Sequence, residues 1–419
     1  MDNRKVIILG GGFAGLAVAK SLCNTPLDVW LVDKNNHHLF QPLLYEAATA
    51  ALSPSDIATP IREILSRCQN ATVLMGDVVS INKDERIIEL QNKERIGFDY
   101  LVIAMGSNTN YHGHNEWEKF APGLKSLKDA LKIREQILIS YEKAERCVSL
   151  SAASEHLNFV IIGGGPRGVE MAGAIAQIAY QTMIRNFRHI DFAAAKIYLI
   201  ERTPRILNSF PEKLSRKANS YLEKLGIRVI TNAAVTEITA KGVKVDQTFI
   251  PSRNVFWLAG DVGSPVLKTL NVPLDSQGRV IVDSDLSIAG HPEIFVVGDA
   301  ASVQGPNGSP VPAAAPAAMQ QGRYVGSILK RRLEKKDRKP FCYTDKGMLI
   351  AIRKTKGIGI IKNIQLSGFL AWIIWALVHL FYLNGLHNRI FVLIKWLFSF
   401  FTDKRSARLI YGSIDEERK

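Results

Sequence analysis

Unbroken apolar runs of about four residues punctuate this 419-residue chain, and their order carries most of what it says about fold. Val6-Ile7-Ile8-Leu9, Val29-Trp30-Leu31-Val32, Leu101-Val102-Ile103-Ala104, Phe159-Val160-Ile161-Ile162, Ile197-Tyr198-Leu199-Ile200 and Val255-Phe256-Trp257-Leu258 show no polar alternation. Such runs belong to parallel strands buried on both faces, with helices in the connections. Val73-Leu74-Met75-Gly76-Asp77-Val78 reads as one further strand of the first series. Residues 4–110 and 155–262 follow one plan, the first ending in Ala104-Met105-Gly106 and the second in Leu258-Ala259-Gly260. A strand at Ile294-Phe295-Val296-Val297 then leads through Gly298-Asp299-Ala300-Ala301 and a Gly/Pro-rich loop to a helix over residues 313–334, which returns the chain to its first half. The doubled plan predicts an α/β fold of two Rossmann-like dinucleotide-binding domains related by duplication.

The first run of each half ends in a glycine turn, Gly10-x-Gly12-x-x-Gly15 and Gly163-x-Gly165-x-x-Gly168, 153 positions apart. Turns of this form bring backbone N–H groups against a pyrophosphate at a helix N-terminus. The second strand of each half ends in an acid, Asp33 and Glu201, the residue type that accepts hydrogen bonds from ribose hydroxyls. Gly10 and Asp33 are 23 residues apart and Gly163 and Glu201 are 38 apart, so the second half must contain an extended helix or an insert. Two complete strand–turn–helix–strand–acid contexts predict two dinucleotides on one chain. Glu201 points to NADH, because a carboxylate repels a 2′-phosphate, whereas Arg202 and Arg205 pull the other way. Asp299 sits where ligands of open α/β sheets collect, a structural Asx turn being the plain alternative. No nucleophile with a base and no metal-ligand cluster is evident, and hydride transfer between cofactors requires neither.

Charge and the C-terminal pattern add a surface. The net charge is +14, and residues 330–362 hold twelve Lys/Arg against three Asp/Glu, directly before the most apolar stretch. That placement points to an anionic membrane rather than nucleic acid, with a solvated basic face as the alternative. Residues 366–383 offer 18 mostly apolar positions, near the lower limit for a span, with His379 as the only clearly ionisable group. Beyond them Asn388, Lys395, Ser399 and Thr402 recur at spacings of seven, four and three, leaving Phe391, Leu393, Ile394, Leu397, Phe398 and Phe401 as an apolar face. With Trp372, Trp375 and Trp396 as anchors and Arg389, Lys404 and Arg405 as a basic edge, this predicts helices lying in the membrane interface. A spanning helix and a homodimer interface are the alternatives. The cysteines Cys23, Cys68, Cys147 and Cys342 form no CxxC, which argues for a reducing compartment and against a local redox dithiol. Met1-Asp2-Asn3-Arg4-Lys5 is polar, and no secretory signal is read there.

His37-His38-Leu39-Phe40-Gln41-Pro42-Leu43-Leu44-Tyr45-Glu46-Ala47-Ala48-Thr49, Gly163-Gly164-Gly165-Pro166-Arg167-Gly168-Val169-Glu170 and Ser367-Gly368-Phe369-Leu370-Ala371-Trp372 resemble type II NADH:quinone oxidoreductases over nearly the whole chain. The resemblance implies FAD on Gly10, Gly12, Gly15 and Asp33, with Val78 against the adenine, Gln41 and Gly106 near the flavin, and Asp299 with Ala300 at the ribityl or pyrophosphate group. It implies NADH on Gly163, Gly165, Gly168, Glu201 and Gly260. Glu170 would lie near the stacked rings and either bias their orientation or help move a proton, against a simple helix-dipole role. The family's quinone motif has two glutamines four apart; only Gln320 is kept here, and Pro316 replaces the first. Arg167 stands where a small hydroxyl residue is usual, and Asp261 follows Ala259-Gly260.

The expected organisation is an FAD domain from residues 1–115 and 265–340, an NADH domain from 116–264 and a membrane-attachment region from 341–419. The expected function is a peripheral, monotopic flavoenzyme on the cytoplasmic face of a bacterial inner membrane, oxidising NADH and reducing a membrane quinone without pumping protons. Competing readings are a slowly turning redox-sensing flavoprotein, favoured by Arg167 and Pro316, and an NADPH-preferring quinone reductase. A sulfide:quinone reductase needs paired reactive cysteines, which the spacing does not offer.

Overall fold

The computed structural model describes residues 4–184, 186–305, 308–402, 405 and 407–410; Met1, Asp2, Asn3 and Lys404 lie outside the described residues. Two compact units form, one from Met1–Leu39, Ala58–Asn108 and Asp261–Lys346, the other from Phe40–Ile57, Thr109–Gly260 and Gly347–Lys419. The strands that matter are β1 (Lys5–Leu9), β2 (Asp28–Asp33), β3 (Ala71–Met75), β4 (Tyr100–Ile103), β5 (Asn158–Ile162), β6 (Lys196–Ile200), β7 (Ile227–Ile230), β8 (Asn254–Trp257), β9 (Ser287–Ile288), β10 (His291–Val296), β11 (Met348–Arg353), β12 (Lys356–Ile361) and β13 (Ile364–Gly368). The helices are α1 (Phe13–Ser21), α2 (Leu44–Ala48), α3 (Pro54–Ile57), α4 (Leu127–Glu145), α5 (Pro166–Gln177), α6 (Ala315–Arg331), α7 (Phe369–Tyr382) and α8 (Leu386–Thr402).

In the first unit six strands stand in the order β9-β10-β4-β1-β2-β3, parallel except for β9 against β10. The second unit has the parallel order β7-β6-β5-β8. The continuous apolar runs are explained by this: β1 and β5 are central, and Ile7, Ile8, Phe159, Val160 and Ile161 are wholly buried. Leu9 is level with Val32 and Ile103, as Ile162 is with Ile200 and Trp257, so each glycine turn leaves its sheet at the ends of three strands.

Three local expectations change, and a fourth, the extended second helix, holds and gains its detail. Residues 73–78 are not one strand: β3 stops at Met75, Gly76 donates to Asp33 O, and Val78 opens a strand of a separate antiparallel sheet. The long Gly163-to-Glu201 spacing arises because α5 runs into a π-helical turn, Ile178–Thr182, before β6. Cys23 and Cys68, 45 positions apart, are joined by a disulfide, which runs against the expected reducing compartment, although the pair is not a local dithiol. That pair follows α1 at the end opposite the glycine turn, about 13 Å of helix away, so it supplies no redox centre at the turn. Finally, β13 takes residues 366–368 out of the C-terminal apolar stretch. Helix α7 is left with 14 residues, and among the described residues no helix is long and apolar enough to cross a membrane.

Candidate functional site

The two glycine turns are built alike. Gly10 and Gly163 have φ of 103° and 111°, conformations open to glycine at little cost. A Cβ on Gly15 would meet the Gly10 carbonyl, and one on Gly168 the Gly163 carbonyl, so each helix starts hard against its own turn. In front of Gly12 and Gly165 a Cβ would meet nothing within 4 Å, which leaves each turn an open face. The acids hold the turns from behind. Asp33 Oδ2 accepts from Gly11 N at 2.6 Å, and Glu201 Oε2 accepts from Gly164 N at 2.7 Å. Glu201 Oε1 also takes the Thr203 N–H and hydroxyl at 2.8 and 2.7 Å.

The turns differ in what holds the carbonyl. Gly164 O accepts from the backbone N–H of Leu207 at 2.8 Å, whereas Gly11 O lies 2.9 Å from His38 Nδ1. Burial pushes His38 down to about 4, so its imidazole is neutral and Nδ1–H donates. Its Nε2 is then a buried acceptor without a partner among the described residues, which fits a ligand carrying hydroxyl or amide donors there.

Gly106, Asp299 and Ala300 come together in the first unit. Ser107 Oγ donates to Asp299 Oδ2 at 3.3 Å, and Gly298, at φ 71°, gives its N–H to Gln321 Oε1 at 2.6 Å. Gln321 is therefore a residue that sequence reasoning missed in favour of its neighbour. Gln320 instead exchanges hydrogen bonds with the Thr344 backbone at 2.9 and 3.0 Å. Val78 is buried in its small sheet. In the second unit Gly260, at φ 82°, adjoins His112 and Asn110, and Gln41 is exposed, donating to Lys125 O at 3.3 Å.

Glu170 is not the exposed dipole partner of a helix start. It is 7% exposed on α5, where Oε1 accepts the Ala351 N–H of β11 at 3.3 Å. Burial pushes its carboxyl well above the usual range, opposed by that bond and by the Trp375 side chain, with Glu46 adding to the rise.

On the C-terminal helices the expected apolar face is turned outward, and the polar side is docked on protein instead of solvent. Phe391, Leu393, Ile394, Leu397, Phe398 and Phe401 are exposed, as are Phe369, Leu370, Leu377 and Phe381 of α7. Asn388 is buried and Lys395 pairs with Asp56 at 2.6 Å, so the polar side of α8 faces protein. Arg405, expected at the outer basic edge, is 5% exposed and turned inward. His379 bonds Trp375 O at 2.7 Å, and burial takes it down to about 4. Part of the basic excess before these helices is also spent inside the first unit, where Arg338 pairs with Asp285 at 2.9 Å and Lys335 with Asp283 at 2.6 Å.

Two acid-backed glycine cradles on duplicated sheets define a two-dinucleotide oxidoreductase, and the model of the pyridine nucleotide-disulphide oxidoreductase family matches residues 4–322. The chain is 37% identical to the type II NADH:quinone oxidoreductase Ndh of Mycobacterium tuberculosis, covering 97% of this chain and 90% of that one. It is 29% identical to the demethylphylloquinone reductase NdbB of Synechocystis, over 94% of this chain and 95% of that one. In fold it resembles NDH2 of Plasmodium falciparum solved with NADH, at 20% identity and a TM-score of 0.88, covering 96% of this chain and 99% of that one. The chain belongs to the pyridine nucleotide-disulphide oxidoreductase family and, within it, to the type II NADH:quinone oxidoreductases.

Proposed function

We infer that this chain is a type II NADH dehydrogenase: NADH, one proton and a quinone become NAD⁺ and quinol, with no proton moved across a membrane. The observation that carries this reading is the pair of cradles, each with a free face in front and a carboxylate holding the turn N–H from behind. FAD, when bound, accepts a hydride and returns two electrons to a quinone. The orphaned His38 Nε2 and the open Gly12 face fit that cofactor in the first unit. There Gly10, Gly12, Gly15 and Asp33 take the adenosine pyrophosphate, Val78 the adenine, and Asp299 and Ala300 the ribityl or pyrophosphate group, with Gly106 near the flavin; the family resemblance alone assigns Gln41 to the flavin. Gly163, Gly165, Gly168, Glu201 and Gly260 take NADH. Glu201 disfavours a 2′-phosphate, since its carboxylate already lies at the turn. Glu170 holds a proton for the reaction, and Gln320 orients the quinone.

The outward apolar side chains of α7 and α8 support attachment to one leaflet, which we assign to the cytoplasmic face of a bacterial inner membrane. Association of two copies through part of the same surface is compatible with this. The test is anaerobic: purified enzyme should carry FAD, be bleached by NADH faster than by NADPH, and be reoxidised by a short-chain quinone. Bleaching without reoxidation would replace the dehydrogenase with the redox-sensor reading.

A further inference from the structure

Tyr45 and Glu46 stand side by side on α2, and the reading above gives neither a role. Charged groups from three other stretches of the second unit converge on them. Glu46 Oε2 accepts the Trp396 indole N–H at 2.8 Å. Next to Trp396 on α8, Lys395 bonds both oxygens of Asp56 at 2.8 and 2.6 Å. Arg405 donates to the Thr49 carbonyl, and to Gln177 Oε1 at 2.8 Å. Those two acceptors are neutral, so the charge that faces the buried guanidinium through space is the Glu46 carboxylate. On the other side, α2 packs against α5, and Tyr45 lies within the field of Glu170 as well as that of Glu46.

We propose that Glu46, on the helix packed against the one that carries Glu170, is a second proton-holding residue of the NADH:quinone reaction, and that Trp396 and Arg405 are its positioning residues. This rests on the function inferred above. The hydride from NADH brings two electrons and one proton, so quinol formation needs one more proton, which comes from solution. Glu170 is buried and Glu46 partly exposed, so Glu46 is the carboxyl of the two that meets water. Its carboxylic acid gives up the O–H proton inward, and the carboxylate left behind is reprotonated from solvent.

The surroundings suit that task. Burial pushes Glu46 up to about 7, against the Trp396 hydrogen bond, the Arg405 charge and the Tyr45 hydroxyl, with Asp56 adding to the rise. Both protonation states are then populated at neutral pH, as a proton carrier requires. The charged or titratable groups around it are Tyr45, Asp56 with its partner Lys395, Glu170 and Arg405; α4, packed on α2, carries the buried Arg134.

The experiment uses full-length enzyme on quinone-containing vesicles. Wild-type kcat should show an inflection near pH 7. Glu46→Gln should abolish it and lower kcat about tenfold, with FAD content and the single-turnover rate of flavin bleaching by NADH retained. Glu46→Asp should restore it, and Arg405→Gln should move it to higher pH because the cation no longer favours the carboxylate. Independently of turnover, an infrared protonated-carboxyl band titrating near pH 7 should vanish in Glu46→Gln. An unchanged inflection or a persisting band overturns the proposal. If Glu46→Gln does not fold, Trp396→Phe takes its place: the inflection should rise, and an unmoved one overturns the proposal equally. A wild-type enzyme that quinone fails to reoxidise defeats the functional reading instead, while the infrared titration still decides whether Glu46 holds the proton.

Discussion

The two nucleotide units share a cradle and differ behind it. At the same place in each helix, 153 positions apart, stand Ala17 and Glu170. Behind α1 the neighbour is α6, brought close by glycines: a Cβ on Gly322 would meet the Ala14 carbonyl and the Ala17 Cβ, and one on Gly326 would meet Ser21. Behind α5 the neighbour is β11, equally close at Gly173, where a Cβ would meet Ile352 O, but here a buried carboxyl is tucked into the seam. The two halves share the glycine turn, whose geometry tolerates little change, and differ at the back of the helix. One seam only packs, whereas the other holds an ionisable group whose charge is expensive to bury.

The largest expected effect comes from forcing the inert seam apart. Gly322→Val should destabilise by about 3 kcal/mol and yield protein that loses FAD on purification. Gly173→Val should damage the second unit to a similar degree yet leave FAD bound, as read by flavin absorbance after gel filtration. Equal FAD loss from both would end the claim that the halves are separate devices.

Next is the seam that holds the buried carboxyl. Glu170→Gln should lower turnover about 100-fold with FAD content intact. Its folded carboxyl is raised, so the wild type loses stability as pH climbs from about 4.5 toward the folded value. The Gln variant lacks that loss, and its Tm relative to wild type should rise over the same range. A Tm difference independent of pH would contradict the buried-carboxyl account. Smaller again is Glu201→Gln, which should shift the NADH:NADPH ratio of kcat/KM by about tenfold toward NADPH, the worth of one charge-assisted contact. Asp33→Asn, by contrast, should change FAD retention and leave that ratio alone. The smallest effect is expected from Phe398→Ser on α8. A ring already 53% exposed contributes only about 1 kcal/mol of insertion, so vesicle partition should fall about fivefold and remain insensitive to salt.

The sheets and turns were legible because their signals are local: an apolar run, a glycine at a fixed offset and an acid at a strand end are all read within one supersecondary unit. The outward face of α8 was legible for the same reason. What escaped was made by distance along the chain. Cys23 reaches Cys68, Gln321 reaches Gly298, Trp396 reaches Glu46 and Arg405 reaches Thr49, and no spacing rule joins such positions. Arg405 misled most, since a basic residue after an amphipathic helix reads as a headgroup contact until the fold turns it inward. Glu170 was located by its motif, but its burial depends on β11, some 180 residues later.

Helix α8, with its polar side docked on protein and its aromatic side outward, also bears on how the enzyme's kinetics are to be counted. An acceptor dissolved in lipid is met by a search over a surface rather than through a volume, and its effective concentration is the number of molecules per area of bilayer. For a chain attached this way, KM for quinone is a mole fraction of membrane, and diluting the vesicles with water leaves it unchanged while diluting the quinone with lipid does not.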